Sequence, residues 1–376
     1  MMKKLILSIC TVFCLLAAPL SAVEWGGLIF NDTGASISGP DYNNLSINQA
    51  DGISLWLKTP LSDTGFYFAG EALYKFKLTF AKDVDPVLEQ IADIPLLKFY
   101  GDIDLDAGLL SLKAGRFYYV DSTTAVISQT IDGLSAKFAL PVVNLGAFVG
   151  YSGLLNALNV QMAGSAAKAD SKIYGLTDNP YLPLGLTFEF PSLFANQALE
   201  LDAYYLLDLG DAKINKCYAN LVLSGPITSS FFYNAATSFG FVDFKDMMNY
   251  SSLSFMIFPS AATAFTAGAT FGSAAGQGPF VAFDSISVTS VLATSSIIPK
   301  LAFTYTNSSL YFNMGGNVPM MYDGSKYGIA DVNCDFNLLY NIFSDFQIGF
   351  AVDAKIDLTG ANTHSFNAKL SAALAF

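Results

Sequence analysis

Apolar and polar residues alternate with a period of two along most of this chain, and the alternation is clearest at its end. From Phe366 to Phe376 every second position is Phe366, Ala368, Leu370, Ala372, Leu374 and Phe376, while Asn367, Lys369, Ser371, Ala373 and Ala375 lie between. Phe346 to Ile356 and Val332 to Tyr340 repeat the pattern. A period of two predicts β-strands with one apolar face and one polar or small face. The same rhythm predicts strands near 23–30, 48–58, 65–81, 96–106, 109–120, 131–140, 144–154, 182–190 and 198–208. The second half gives 216–225, 228–240, 249–258, 261–274, 297–306, 309–320, 329–341, 346–356 and 363–376. That is about eighteen strands, with sixteen as the alternative because the first, the second and the one holding Pro319 are weak.

The connections fall into two alternating sets. Short ones lie at 59–64, 107–108, 141–143, 191–197, 226–227, 259–260, 307–308 and 342–345. Longer ones lie at 31–47, 82–95, 121–130, 155–181, 209–215, 241–248, 275–296, 321–328 and 357–362. Pro60, Pro141, Pro191, Pro226 and Pro259 open five of the short turns, where a residue without an N–H ends a ladder. Within 82–95, Asp85-Pro86 ahead of Val87, Leu88 and Ile91 predicts a short helix over 84–94.

Composition decides what the strands build. The chain is 52% hydrophobic and 13% charged, against about 25% charged in soluble domains. Beyond the first twenty or so residues, no run of ~18 apolar residues exists from which to make a spanning helix. A membrane-grade composition without membrane helices leaves a closed barrel, in which all backbone groups are paired. The expected fold is therefore all-β: a transmembrane antiparallel β-barrel with short periplasmic turns and long extracellular loops. Lys3 and Lys4, the apolar run Leu5–Leu16 and the small residues up to Ala22 predict a signal peptide over 1–22. The single barrel then occupies 23–376 and is expected in the cell outer membrane.

The final eleven residues resemble the assembly signal that the barrel-assembly machinery reads in outer-membrane barrels, with Phe376 as terminal aromatic and Leu374 and Leu370 behind it. The mature chain is similar in kind to general and substrate-selective porins. Gly115-Arg116 followed by Asp132-Gly133 looks like the "GR…DG" hairpin of several porin-like families. The resemblance implies a channel for passive diffusion of small hydrophilic solutes, embedded in outer-membrane lipid and able to form homo-oligomers. A surface binder or adhesin that uses the barrel as an anchor is the other reading.

Candidate chemistry is sparse. The net charge of −12 argues against nucleic acid as a partner. One histidine, His364, excludes multi-histidine metal sites, and alternation turns it away from Ser365, against a membrane hydrolase. No enzymatic activity and no cofactor are expected. Strand parity assigns Glu71, Lys75, Lys77, Asp102, Asp104, Lys113, Glu200, Asp202, Asp353 and Lys369 to the lumen as candidate selectivity residues. Lys75, Lys77 and Lys113 are expected to match Asp102, Asp104 and Asp106 across strands. Inward acids slightly outnumber inward lysines, which implies a weak cation preference. The loops 155–181 and 275–296 are expected to fold inward. No strand offers a continuous apolar interior. Arg116, the only arginine, faces lipid by parity unless a bulge turns it. Cys217 and Cys334 are far apart and form no disulfide framework.

The terminal aromatic gives a direct test. Changing Phe376 to a polar residue should abolish assembly and send the protein to periplasmic degradation, read by fractionation and immunoblotting. Wild-type levels in the outer membrane would remove its role as a signal.

Overall fold

The computed structural model describes residues 23–39, 42, 44–61, 64–151, 181–210, 213–282, 292–360 and 363–376. The predicted signal segment 1–22 and nearly all of the loop 155–181 lie outside them. The strands are β1 (Glu24–Ser38), β2 (Asn44–Pro60), β3 (Phe66–Ala81), β4 (Val84–Leu105), β5 (Gly108–Val120), β6 (Ser128–Ala139) and β7 (Asn144–Tyr151). They continue as β8 (Tyr181–Phe194), β9 (Gln197–Asp208), β10 (Lys216–Thr228), β11 (Phe231–Val242), β12 (Asp246–Ser260), β13 (Thr263–Gly272) and β14 (Ser296–Thr306). The last are β15 (Leu310–Asn317), β16 (Met320–Tyr322), β17 (Tyr327–Ile329), β18 (Asp331–Asn341), β19 (Phe346–Asp357) and β20 (Ser365–Ala375).

All twenty segments belong to one sheet. β16 extends β15 beyond a break at Val318-Pro319 and keeps β14 as its partner. β17 likewise runs into β18, so the wall has 18 strands. Pro319 thus interrupts a strand, since it has no N–H for the ladder. Each strand runs antiparallel to its neighbours, and β1 pairs with β20 from Leu28↔Ala375 to Ser38↔Ser365. That last pairing closes the cylinder and leaves it without an edge.

Alternation divides the two faces as predicted. Leu301, Met314, Leu370 and Leu374 are exposed on the outside, while Lys300, Asn313, Lys369 and Asp353 alternate with such positions along the same strands. Outside, Phe265, Phe303, Phe312, Phe336 and Phe350 form a run of aromatic contacts across β13 to β19, with centroids 4.9 to 5.9 Å apart. Aromatic pairs of this kind contribute about 0.5–1.5 kcal/mol each beyond area burial.

Two expected loops are mostly strand. Of residues 31–47, 31–38 extend β1 and 44–47 begin β2. The region 84–94 is not a helix but the upper half of β4, paired with β3 through Leu78↔Leu88 and Lys75↔Ile91. Asp83 takes a positive φ of 60°, which makes the tight turn into β4. Pro86 falls where the register shifts between Thr79 and Ala81, so its missing N–H costs the ladder nothing. The outer ends of the β1–β2, β3–β4 and β11–β12 hairpins are therefore short, and the long connections are confined to the others.

Where β4 leaves β5, the lone arginine closes the seam. β4 pairs with β5 only up to Leu97↔Arg116, and above that with β3 alone. Arg116 keeps the outward parity read from sequence, and no bulge turns it, yet it is buried. Its Nε and Nη2 donate to Asp132 Oδ1 and Oδ2 at 2.9 and 2.8 Å, and Nη1 donates to the Ile94 carbonyl at 3.0 Å. Arg116 and Asp132 are direct register partners, as are Gly115 and Gly133. This explains the "GR…DG" spacing. Gly115 has φ +114°, and a Cβ on Gly133 would stand 2.1 Å from the Val149 carbonyl oxygen, so both positions require glycine.

Arg116→Ala should lower stability by about 3–5 kcal/mol, because it leaves the Asp132 carboxylate unpaired in a low-dielectric wall. Arg116→Lys should recover only part, lacking the bidentate fork. Urea titration of the folded barrel measures both, and an unchanged midpoint in Arg116→Ala would refute the assignment.

Candidate functional site in the barrel interior

The connection 121–127 between β5 and β6 does not project from the barrel. It folds inward, held by one carboxylate. Asp121 Oδ1 accepts from the backbone N–H groups of Val126 and Ile127 at 3.0 and 2.8 Å. Its Oδ2 accepts from Thr123 N at 2.8 Å, from the Thr123 hydroxyl and from Asn220 Nδ2 at 3.2 Å. Ser122 donates to Asp202 Oδ2 through its N–H at 3.3 Å and through its hydroxyl. A loop after β5 is thereby tied to β9 and β10. Burial pushes the Asp121 carboxyl above the ordinary carboxylate range, and the hydrogen bonds from Thr123, Ile127 and Val126 oppose this without cancelling it.

Apolar packing completes the attachment. Val126 and Ile127 are fully buried with Phe117, Ile131, Phe148 and Tyr204, all on the inner face. Tyr119 lies 4.2 Å from Phe148 between ring centroids, and its hydroxyl is 3.3 Å from that of Tyr204. No single strand carries a continuous apolar inner face, yet single apolar residues of several strands meet here across the ladder. One arc carries a hydrophobic cluster, because an inward loop needs something to pack against.

Residues 280–282 of the connection between β13 and β14 pack against inward side chains of the same arc, on the inner side where 275–296 was expected to fold. Phe280 is fully buried between Tyr218 and Tyr250, with centroids 6.1 and 5.6 Å away. The Tyr218 hydroxyl donates to the Val281 carbonyl at 2.7 Å, and Lys216 Nζ donates to the Ala282 carbonyl at 3.0 Å. Residues 283–291 lie outside the described residues, as does the bulk of the third loop, 155–181.

The candidate selectivity residues distribute unevenly. Asp202 joins loop 121–127, with Glu200 two positions away on β9 opposite Glu189 of β8. Glu189 is held by Lys137 at 2.6 Å. On the far arc, Lys369 pairs with Asp32 at 3.0 Å, and Asp353 stands between Asp335 and Asn367 in register. Glu71 accepts from the Ser54 hydroxyl at 2.5 Å. The expected match of Lys75, Lys77 and Lys113 with Asp102, Asp104 and Asp106 is not formed. Lys77 faces Glu89 at 3.9 Å, Lys75 stands beside Gly52 and Ile91, and Lys113 is flanked by Tyr100 and Ser135. The register neighbours of Asp102 and Asp104 on β5 are Ser111 and Leu109. Leu370, Leu374 and Phe376 point outward. His364 Nδ1 accepts from the Asp357 N–H at 3.0 Å, and its ring stacks on Tyr42.

Sequence reasoning missed Asp121, Ser122 and Asn220. The usable signal was Val126-Ile127, an apolar pair inside an otherwise polar connection.

Because the Asp121 pKa is raised in the docked loop, docking favours the protonated carboxyl. That added stability is present at acid pH and is lost as the pH rises through the carboxylate range. Hydrogen exchange, corrected for the intrinsic pH dependence, should therefore show stronger protection of the Val126 and Ile127 amides near pH 4 than at pH 7. Asp121→Asn should flatten this dependence, and protection that falls on acidification would contradict it.

No protein-family model matches the sequence, and no curated protein matches it either. Solved structures match the fold over nearly the whole chain. OccK5 (OpdH) of Pseudomonas aeruginosa is similar at a TM-score of 0.61 and 11% identity, covering 94% of this chain and 98% of its own. The outer membrane protein OprD of Pseudomonas aeruginosa is similar at 0.58 and 12%, covering 94% and 93%. OccAB4 of Acinetobacter baumannii is similar at 0.57 and 10%, covering 96% and 100%. The protein thus has the 18-stranded closed-barrel fold of these bacterial barrels.

Proposed function

We propose that this protein is an outer-membrane channel through which small hydrophilic solutes diffuse, with a weak preference for cations. The supporting observation is the division of the interior into two arcs. Loops pack on the β5–β12 side, whereas inward positions on β14–β20 and β1–β3 are mostly polar or small, with Asn313–Thr304, Asn333–Asn317 and Ser54–Glu71 contacts among them and Phe30 and Trp56 as exceptions. A conduit along the polar arc, narrowed by the anchored loops, suits passive and selective diffusion. It involves no catalysis.

Charge supports the sign of the preference. Lys77, Lys137, Lys355 and Lys369 are each held by a carboxylate. Beyond these pairs, Asp102, Asp104, Glu200, Asp202, Asp335 and Asp353 stand against Lys75, Lys98, Lys113 and Lys300. A modest acidic surplus in a low-dielectric tube enriches cations.

In this reading residues 1–22 are removed on export. The barrel-assembly machinery engages Phe376, Leu374 and Leu370, and the finished barrel associates with further copies of itself.

The reversal potential across a tenfold KCl gradient tests the assignment. It should have the sign of weak cation selectivity and shift toward zero in Glu200→Gln. The effect should fade at high salt, where the Debye length falls from ~10 Å at 0.1 M to ~3 Å at 1 M. Anion preference, or no current from folded barrels, would overturn it.

A further inference from the structure

The outer face of the closure seam carries polar residues where a lipid-facing wall should carry none. On β20 the outward row runs from Phe366 to Phe376, and its middle members Leu370 and Ala372 pair with Thr33 and Asn31 of β1. Asn31 and Thr33 pair in turn with Asp51 and Gln49 of β2. This island is bounded on one side by Ile29 and Ile53 and on the other by Ala35 and Ile47, all outward-facing by parity. It therefore lies inside the apolar band and not at its rim.

The four side chains bond to one another. Asn31 Nδ2 donates to Asp51 Oδ1 at 2.5 Å, and Gln49 Nε2 donates to Asp51 Oδ1 and Oδ2 at 3.3 and 3.2 Å. The Thr33 hydroxyl donates to Gln49 Oε1 at 2.6 Å. No lysine or arginine pairs with Asp51 among the described residues. Hydrogen-bonding capacity is left over on both sides of the ledger: the second N–H of Asn31, and lone pairs on Asp51 Oδ2. Lipid tails can use neither, and an ionisable group in hydrocarbon calls for a partner.

We propose that this face, the outer surface of β20, β1 and β2, docks a second copy of the same chain. The inference rests on the transmembrane placement adopted above. The island is self-complementary, since it holds unspent donors and unspent acceptors within one patch. An isologous contact about a two-fold axis sets the Asn31 N–H of each copy against the Asp51 carboxylate of the other. Ala35, Ala368 and Ala372 border the island, and small side chains let two walls approach closely enough for those bonds. A different protein would need its own matching polar set at the same depth, whereas a second copy brings it already.

Disulfide trapping in native outer membranes provides the test. In a Cys217→Ser, Cys334→Ser background, Thr33→Cys should give a covalent dimer on mild oxidation, and Leu253→Cys, outward on β12, should not. Light scattering of the wild-type protein in detergent should report a dimer or a multiple of it, falling to a monomer in Asp51→Leu. Heat-modifiable gel mobility shows whether that variant is folded. If it is not, Gln49→Leu supplies the same readout. A monomeric wild type without Thr33→Cys trapping would overturn the proposal, as would equal trapping at Leu253→Cys or an Asp51→Leu barrel that stays oligomeric. Current through such a monomer would leave the channel reading intact, and trapping without current would do the reverse.

Discussion

Away from water, a backbone N–H or C=O left without a partner costs several kcal/mol, and this requirement organises the molecule. Strands meet it mainly by pairing with sequence neighbours, and at one place by pairing the two ends of the barrel. There β1 meets β20, and Gly27 and Phe376 exchange backbone hydrogen bonds at 2.9 and 3.0 Å. With that seam closed, the outward face is free to be apolar and the inward face to be polar. The inward-folded loops and the paired lysines follow, because only a closed wall provides an interior to hold them.

How far the amino-acid sequence reveals this depends on whether a feature is local. Period-two alternation located every barrel strand, because each strand writes its own two faces. The extensions through 31–38 and 84–95 were read as loops because Asn, Asp, Gly and Pro are turn formers in isolation. In the folded chain, Asn31 and Thr33 spend their polarity on Asp51 and Gln49 across the ladder, and Pro86 sits in a register shift. Propensity gave way to pairing, as it does when the partner strand is already in place.

The interior was less legible for the same reason. Parity placed Glu200 and Asp202 on the lumen side, but the partner of Asp202 is Ser122, eighty residues earlier in the chain. Arg116 is similar. Its outward parity was correct and, alone, looked like a cost. What makes it acceptable is Asp132 in direct register and the Ile94 carbonyl at the point where β4 departs. The "GR…DG" spacing pointed to Asp132, whereas the Ile94 carbonyl cannot be chosen from the sequence without the strand register.

The inward loop has a mechanical consequence. A cylinder one residue thick resists sliding along its strands, through the ladder bonds, but resists flattening poorly. Loop 121–127 runs from β5 and β6 to Asp202 on β9 and Asn220 on β10, and so spans the cross-section as a chord. A chord of this kind stiffens the arc it subtends against ovalisation. No comparable tie crosses the β14–β20 arc among the described residues. Thermal breathing of the barrel should therefore concentrate on the polar side, where the curvature can change without breaking a loop contact.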